Sequence, residues 1–218
     1  MSSPQPAAAS SDPSRETKQR IAWTVRPATK DDKQAVDELL WKSYSHLLKA
    51  DYDDAFLEKA LPKITVARPE LLTCGTWYVV EGPPDNDDDG DSSDSKPLVG
   101  CGGFTLQSPT NKKDDKDDTN SSATAIDKPH LRHFATDPDH ARKGIASAIW
   151  KRTWQDLCSH YQTQYQLPSP SAMEVFSTLT AESFYASLGF QTIQKLEIPL
   201  GDDCSFPALL MKRETTEF

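Results

Sequence analysis

Residues 130–161 read HLRHFATDPDHARKGIASAIWKRTWQDLCSHY, and this run decides the fold. Residues 130–136 are short and β-prone, and Asp137-Pro138 stops them as a strand. From Ala146 onward the apolar positions are Ala146, Ile149, Trp150, Thr153, Trp154, Leu157, Cys158 and Tyr161, one face of a helix. Between strand and helix lies Ala141-Arg142-Lys143-Gly144-Ile145-Ala146-Ser147. Glycine lets a backbone approach a ligand closely. The first turn of a helix carries N–H groups without internal partners and the positive end of the dipole. Arg142 and Lys143 stand where the dipole disfavours cations, a local conflict of the kind that marks sites. The combination suits a pyrophosphate. An ordinary strand-to-helix connection with a basic start is the plainer alternative. The spacings G-x-x-x-x-G-K-[ST] and G-x-G-x-x-G are both missing.

Outward from this unit, the 218 residues suffice for one domain with a core. A formal charge of −9 argues against a nucleic-acid partner. Six aspartates between residues 85 and 94 carry much of that charge; without them it would be −3. No apolar run approaches the about 18 residues that span a membrane, and no signal peptide is predicted. The four cysteines, Cys74, Cys101, Cys158 and Cys204, form no C-x-x-C pair and are expected as free, mostly buried thiols, with no metal site.

Residues 1–20 are expected to be a disordered tail, and residues 21–218 one domain interrupted by disordered polar insertions at about 83–97 and 108–128. Strands are predicted at 22–27, 77–81, 98–107, 130–136, 172–176, 190–198 and 206–213. Thr29 caps a helix whose apolar positions are Val36, Leu39, Leu40, Ser43, Tyr44, Leu47 and Leu48. A second helix is expected over 53–64 and a short one over 181–188. The order βααβββαβαββ makes this an α/β or α+β domain, whose central strand feeds the helix at Gly144.

Two motifs carry a resemblance. Residues 137–146 with the following helix resemble the acetyl-CoA-binding motif of the GNAT N-acetyltransferase superfamily, Q/R-x-x-G-x-G/A. Ala181-Glu182-Ser183-Phe184-Tyr185-Ala186-Ser187-Leu188-Gly189-Phe190 resembles its later A-x-x-F-Y-x-x-x-G-F motif. The element order matches too, over residues 24–212. Two positions depart: Ala141 stands where the family has Gln or Arg, and Thr180 where it often has Asn.

The resemblance implies a GNAT fold, with a mixed, mostly antiparallel sheet of about seven strands, about four helices and a splayed central strand pair. It implies an enzyme that moves the acetyl group of acetyl-CoA to a primary amine by direct attack in a ternary complex, without a metal. Arg142, Lys143, Gly144, Ile145, Ala146 and Ser147 would hold the pyrophosphate, and Phe134, Ala135 and Thr136 would pair with the pantetheine arm. Thr180 and Phe184 would complete the cofactor contacts, although Phe184 also reads as core. Tyr185 would protonate the departing thiolate, with a packing role as its alternative. His130 stands where relatives often carry the glutamate that serves or relays to the base. His133 is the runner-up, and a water relay is a third route.

On strict alternation, His130, Arg132 and Phe134 share one face and His133 the other. Gly102-Gly103 reads equally as a bulge beside the substrate or a packing accommodation. A small-molecule amine is the expected acceptor, set by residues 53–70 and by side chains near Trp41 and Tyr44. A protein or peptide amine, and a non-catalytic acyl-CoA-binding module, stay open. The expected setting is cytoplasmic or nuclear, with no membrane partner, and a homodimer is compatible with the sequence.

Overall fold

A computed structural model describes residues 23–83, 96–106, 128–201 and 203–215. The expected tail at 1–20, nearly all of the insertions at 83–97 and 108–128, and Asp202 lie outside the described residues. Seven strands form one sheet: β1 (Thr24–Pro27), β2 (Trp77–Glu81), β3 (Leu98–Thr105), β4 (His130–Thr136), β5 (Ala172–Ser177), β6 (Gln191–Pro199) and β7 (Ser205–Glu214). The order is β1-β2-β3-β4-β5-β7-β6. Only β4 and β5 run parallel; the other neighbours are antiparallel. This is the predicted mixed, mostly antiparallel sheet. The helices are α1 (Lys33–Leu47), α2 (Asp54–Ile64), α3 (Pro69–Thr73), α4 (Ile145–Tyr165) and α5 (Glu182–Ser187), one more than expected.

Alternation along the strands sorts the core into layers. Val79, Cys101 and Ala135 face α1, where they pack with Val36, Leu39 and Leu40. Val80 and Val99 face the opposite side and pack with Ile145 and Ile149 of α4. Farther along α4, Leu157 and Tyr161 cover Leu131, Met173 and Val175. The predicted apolar face of α4 is therefore the packed one, with Trp150, Trp154 and Cys158 at its half-buried rim. On the α1 side, Leu57, Ala60 and Leu61 of α2 pack on Phe206 and Ala208 of β7.

Caps and side-chain ties set the geometry. Thr29 and Asp32 form a capping box at the single 3-10 turn that leads into α1. Asp32 also receives two hydrogen bonds from the Arg26 guanidinium, at 2.7 and 2.9 Å, fixing α1 to β1. Asp53 caps α2 by accepting from the Phe56 N–H at 2.8 Å. At the base of the β2–β3 connection, the Gly82 N–H donates to the Pro97 carbonyl at 2.8 Å. The ends of the aspartate-rich segment are thus held together by the fold itself.

Two features depart from the sequence reading. The helix α3 was not expected: it is a five-residue turn started by Pro69 at its first position. Strand alternation breaks in β4. Cys101 opposes Ala135 and Gly103 opposes Arg132, so the single Gly102 faces both His133 and Phe134. His133 takes a positive φ of 45° at this bulge. Phe134 is thereby turned from the face of His130 and Arg132 and packs with Phe184 and Tyr185. The Phe134 ring lies over Gly102, where a Cβ would come within 2.7 Å of it. The bulge and the packing accommodation are thus one feature.

Candidate active site

The parallel pair at the sheet centre is joined at one end only. His130 pairs with Glu174 and Leu131 with Val175, and there the pairing stops. From Arg132 to Thr136, β4 keeps its ladder to β3 but has no strand on its other edge among the described residues. This is the expected splay. Buried backbone groups of that kind take a partner, and the opening leads into a cavity of about 210 Å³.

At the open end of the splay, α4 begins. Gly144 occupies the left-handed region (φ 86°, ψ 11°) as its N-cap. The Gly144 carbonyl accepts from the Ala148 N–H at 2.9 Å, which leaves the preceding N–H groups of the first turn directed outward. Arg142 (φ 64°), Lys143 and Gly144 are exposed, and Ile145 is buried. A Cβ on Gly144 would meet nothing within 4 Å; the glycine serves its backbone conformation and the space in front of it.

The loop is braced from behind. The Trp23 indole N–H donates to the Lys143 carbonyl at 2.9 Å. Asp137 accepts from the Asp139 N–H at 2.9 Å, and Lys42 of α1 reaches both carboxylates, at 2.9 and 2.7 Å. The ammonium of Lys42 and the Asp139 N–H hold the Asp137 carboxyl below its usual range against the opposing effect of burial. Lys143 donates to the Asp139 carbonyl at 3.1 Å, so its charge stays near the loop.

Within the splay, Tyr185 is 4 % exposed and lines the cavity. Burial pushes its phenol pKa up, so it stays protonated. Its ring centroid lies 6.2 Å from that of Phe134 and 5.2 Å from that of Phe184. Phe184 itself is half-buried in the same aromatic cluster. The Thr180 hydroxyl is buried and has no hydrogen-bond partner among the described residues. A buried hydroxyl of this kind calls for a ligand or water.

His130 is 2 % exposed, not a histidine at a loop end. The Glu174 N–H donates to the Pro129 carbonyl at 3.0 Å and draws the strand's start into the sheet. The Phe176 ring stands edge-on at 4.5 Å from the imidazole. Burial, and secondarily the charge of Arg132, lowers the His130 pKa to about 3. Burial with Arg132 and Arg68 lowers that of His133 to about 4. Both line the cavity as neutral imidazoles near pH 7, far weaker bases than an unperturbed histidine.

This has a consequence for stability. A folded pKa below the unfolded value of ~6.5 means the unfolded chain binds more protons between the two values. Stability is full above about pH 6.5 and falls as pH drops toward about 3, by up to about 1.4 kcal/mol per pH unit for one such histidine. Denaturant titrations should therefore show His130→Gln losing about 2 kcal/mol less than the parent between pH 6.5 and pH 5. Identical pH slopes for the two proteins would contradict the buried, neutral state of His130.

Residues of the expected 53–70 stretch line the cavity, though none was singled out individually from the sequence. Arg68, Val66 and Lys63 bring the α2–α3 segment to the cavity mouth, beside Tyr44 of α1. Trp41 does not line it and is 51 % exposed. The Tyr52 hydroxyl donates to the Pro207 carbonyl at 2.8 Å and accepts from the Leu179 N–H at 2.9 Å, which fixes the segment that carries Thr180. Among the described residues no group of three or more side chains could hold a metal ion, and no helix is long and apolar enough to cross a membrane. Cys101 is buried, Cys158 and Cys204 are half-buried, and Cys74 is exposed, all as free thiols.

Comparison with known proteins agrees with this architecture. Residues 112–198 match the family model described as Acetyltransferase (GNAT) domain. That stretch holds β4, the Gly144 loop, α4, β5, α5 and most of β6. Among solved structures, a GCN5-related N-acetyltransferase from Rhodopseudomonas palustris superposes with a TM-score of 0.55 at 11 % identity, over 90 % of this chain and 98 % of that one. The PaiA N-acetyltransferase from Thermoplasma acidophilum, in complex with coenzyme A, gives 0.52 at 11 % identity, over 89 % and 100 %. At such identities the likeness is one of fold. No curated protein matches the sequence.

Proposed function

We propose that this chain transfers the acetyl group of acetyl-CoA to the primary amine of a small molecule, a reading supported by the match of residues 112–198 to a GNAT acetyltransferase domain. The observation that carries the proposal is the unpaired edge of β4, with Tyr185 beside it and the Gly144 helix start at its open end. The N–H groups of Ile145, Ala146 and Ser147, with Arg142 and Lys143 nearby, take the pyrophosphate. The backbone of Phe134, Ala135 and Thr136 pairs with the pantetheine amides, and the Thr180 hydroxyl and Phe184 complete the contact.

The acceptor enters from the α1–α2 side. Its neutral nitrogen attacks the thioester carbon; a C–N bond forms, the C–S bond breaks, and the nitrogen gives up one proton while the thiolate gains one. Tyr185, kept protonated by burial, is the donor to sulfur, and the proton leaving nitrogen balances the exchange. Neither His130 nor His133 is basic enough at neutral pH to draw a proton from an ammonium on its own. The amine therefore reacts from its free-base form, with water as the carrier. The cavity of about 210 Å³ suits a small acceptor.

The test is release of the CoA thiol across a panel of amines, with mass detection of the acetylated product. Tight acetyl-CoA binding without thiol release from any small amine or peptide would overturn the catalytic reading. The aspartate-rich segment is dispensable in this scheme. Because residues 82 and 97 are already joined by a hydrogen bond, removing residues 85–95 only shortens a closed loop. Melting and acetyl transfer are both expected to stay unchanged in that variant. A large loss of transfer with intact melting would instead make the aspartates part of acceptor capture.

A further inference from the structure

The cavity wall on the acceptor side carries charge of one sign. Arg132 and Arg68 both line it, and among the described residues no aspartate or glutamate does. Neither guanidinium forms an ion pair among the described residues. The side chain of Arg132 has one long hydrogen bond, to the Thr105 hydroxyl at 3.4 Å. Its backbone is anchored, since the Trp77 indole N–H donates to the Arg132 carbonyl at 3.0 Å. Arg68 is anchored differently: it is the N-cap of α3, ahead of Pro69, and its carbonyl accepts from the Leu71 N–H at 3.0 Å. Both backbones are thus fixed, and both residues line the cavity, Arg132 half-buried and Arg68 exposed.

Burial and the proximity of Arg68 push the Arg132 pKa down, as expected for like charges held together without an opposing charge. For the half-buried Arg132 an anion would offset this cost. The arrangement arises in a chain with a formal charge of −9, so the composition does not produce it. The other cation at the mouth, Lys63, has a carboxylate at 2.8 Å in Asp203. The cavity is also separate from the Gly144 loop, none of whose residues 142–147 lines it. Two further carboxylates, Glu174 and Glu197, line a neighbouring hollow that shares Phe176 and Ile198 as walls.

We infer that the acceptor is a small primary amine that also carries an anionic group, a carboxylate or a phosphate, which Arg132 and Arg68 hold while the amine faces the thioester. This rests on the acetyltransferase reading above and narrows it. The same two cations disfavour an ammonium in the cavity and so help present the free amine, which suits a site without a strong base.

Matched amines at saturating acetyl-CoA test it: α-amino acids against their carboxamides, phosphoethanolamine against ethanolamine, and spermidine as a cationic control. The better anionic amine should exceed its neutral partner in kcat/KM by about 10- to 100-fold, the value of one or two charge-assisted hydrogen bonds. The pair that shows the preference identifies carboxylate or phosphate. Arg132→Gln should abolish that preference by raising KM for the anionic amine far more than for its neutral partner, with little change in acetyl-CoA affinity. Arg132→Lys should restore part of it. Arg68→Gln, at an exposed position, should reduce the preference more mildly and supplies the readout if Arg132→Gln does not fold. Preference for neutral amines or spermidine, or an unchanged anionic preference in folded variants at both arginines, would overturn the inference and leave the acetyltransferase reading intact. Absence of thiol release with every amine would overturn that reading, and this inference with it.

Discussion

Replacing Gly144 by valine is expected to lower acetyl-CoA affinity by roughly 100-fold or more, the equivalent of two lost charge-assisted hydrogen bonds, in a protein that still folds. Gly144 caps α4 at φ 86°, where a side chain costs about 1–2 kcal/mol and a β-branched one is a true outlier. A Cβ there would touch nothing within 4 Å, so the core is not disturbed. The loss arises in front of the helix, where valine crowds the approach to the N–H groups and pulls the loop from its left-handed turn. Arg142→Ala and Lys143→Ala should cost no more than about 1 kcal/mol each, because exposed charge contacts are weak. Calorimetry on folded Gly144→Val showing parental acetyl-CoA affinity would disprove the loop assignment.

Tyr185→Phe is expected to retain acetyl-CoA affinity and to lose about 100-fold in turnover, within the usual range for removing a general acid. The packing of this residue is carried by its ring, which meets Phe134, Phe184 and Phe190 at centroid distances of 6.2, 5.2 and 5.7 Å. Phenylalanine keeps those contacts, so the variant isolates the hydroxyl. A fall in kcat with unchanged KM is the pattern of a group used only in the transition state. Single-turnover rates equal to the parent's would return Tyr185 to the aromatic cluster as a packing residue.

The strand–loop–helix unit at residues 130–161 was legible because both periodicities are long enough to count, and because Asp-Pro and Gly144 punctuate it. All seven strands followed from similar local signals. The five-residue α3 fell below the length at which an apolar period shows. The bulge at His133 was hidden for another reason: one extra residue shifts the alternation without altering composition, and only the glycine pair on the opposing strand hinted at it. The burial of His130 was out of reach, since Lys128-Pro129 before it resembles a loop and the covering ring comes from β5. Arg68 and Arg132 lie far apart in sequence and meet only through the packing of α3 against β2 and the register of β4.

The Tyr52 hydroxyl bridges the corner after α1, the carbonyl of Pro207 and the N–H of Leu179. One oxygen thus holds together three parts of the chain that are distant in sequence, the corner after α1, strand β7 and the segment that carries Thr180, so a single hydroxyl sets their spacing.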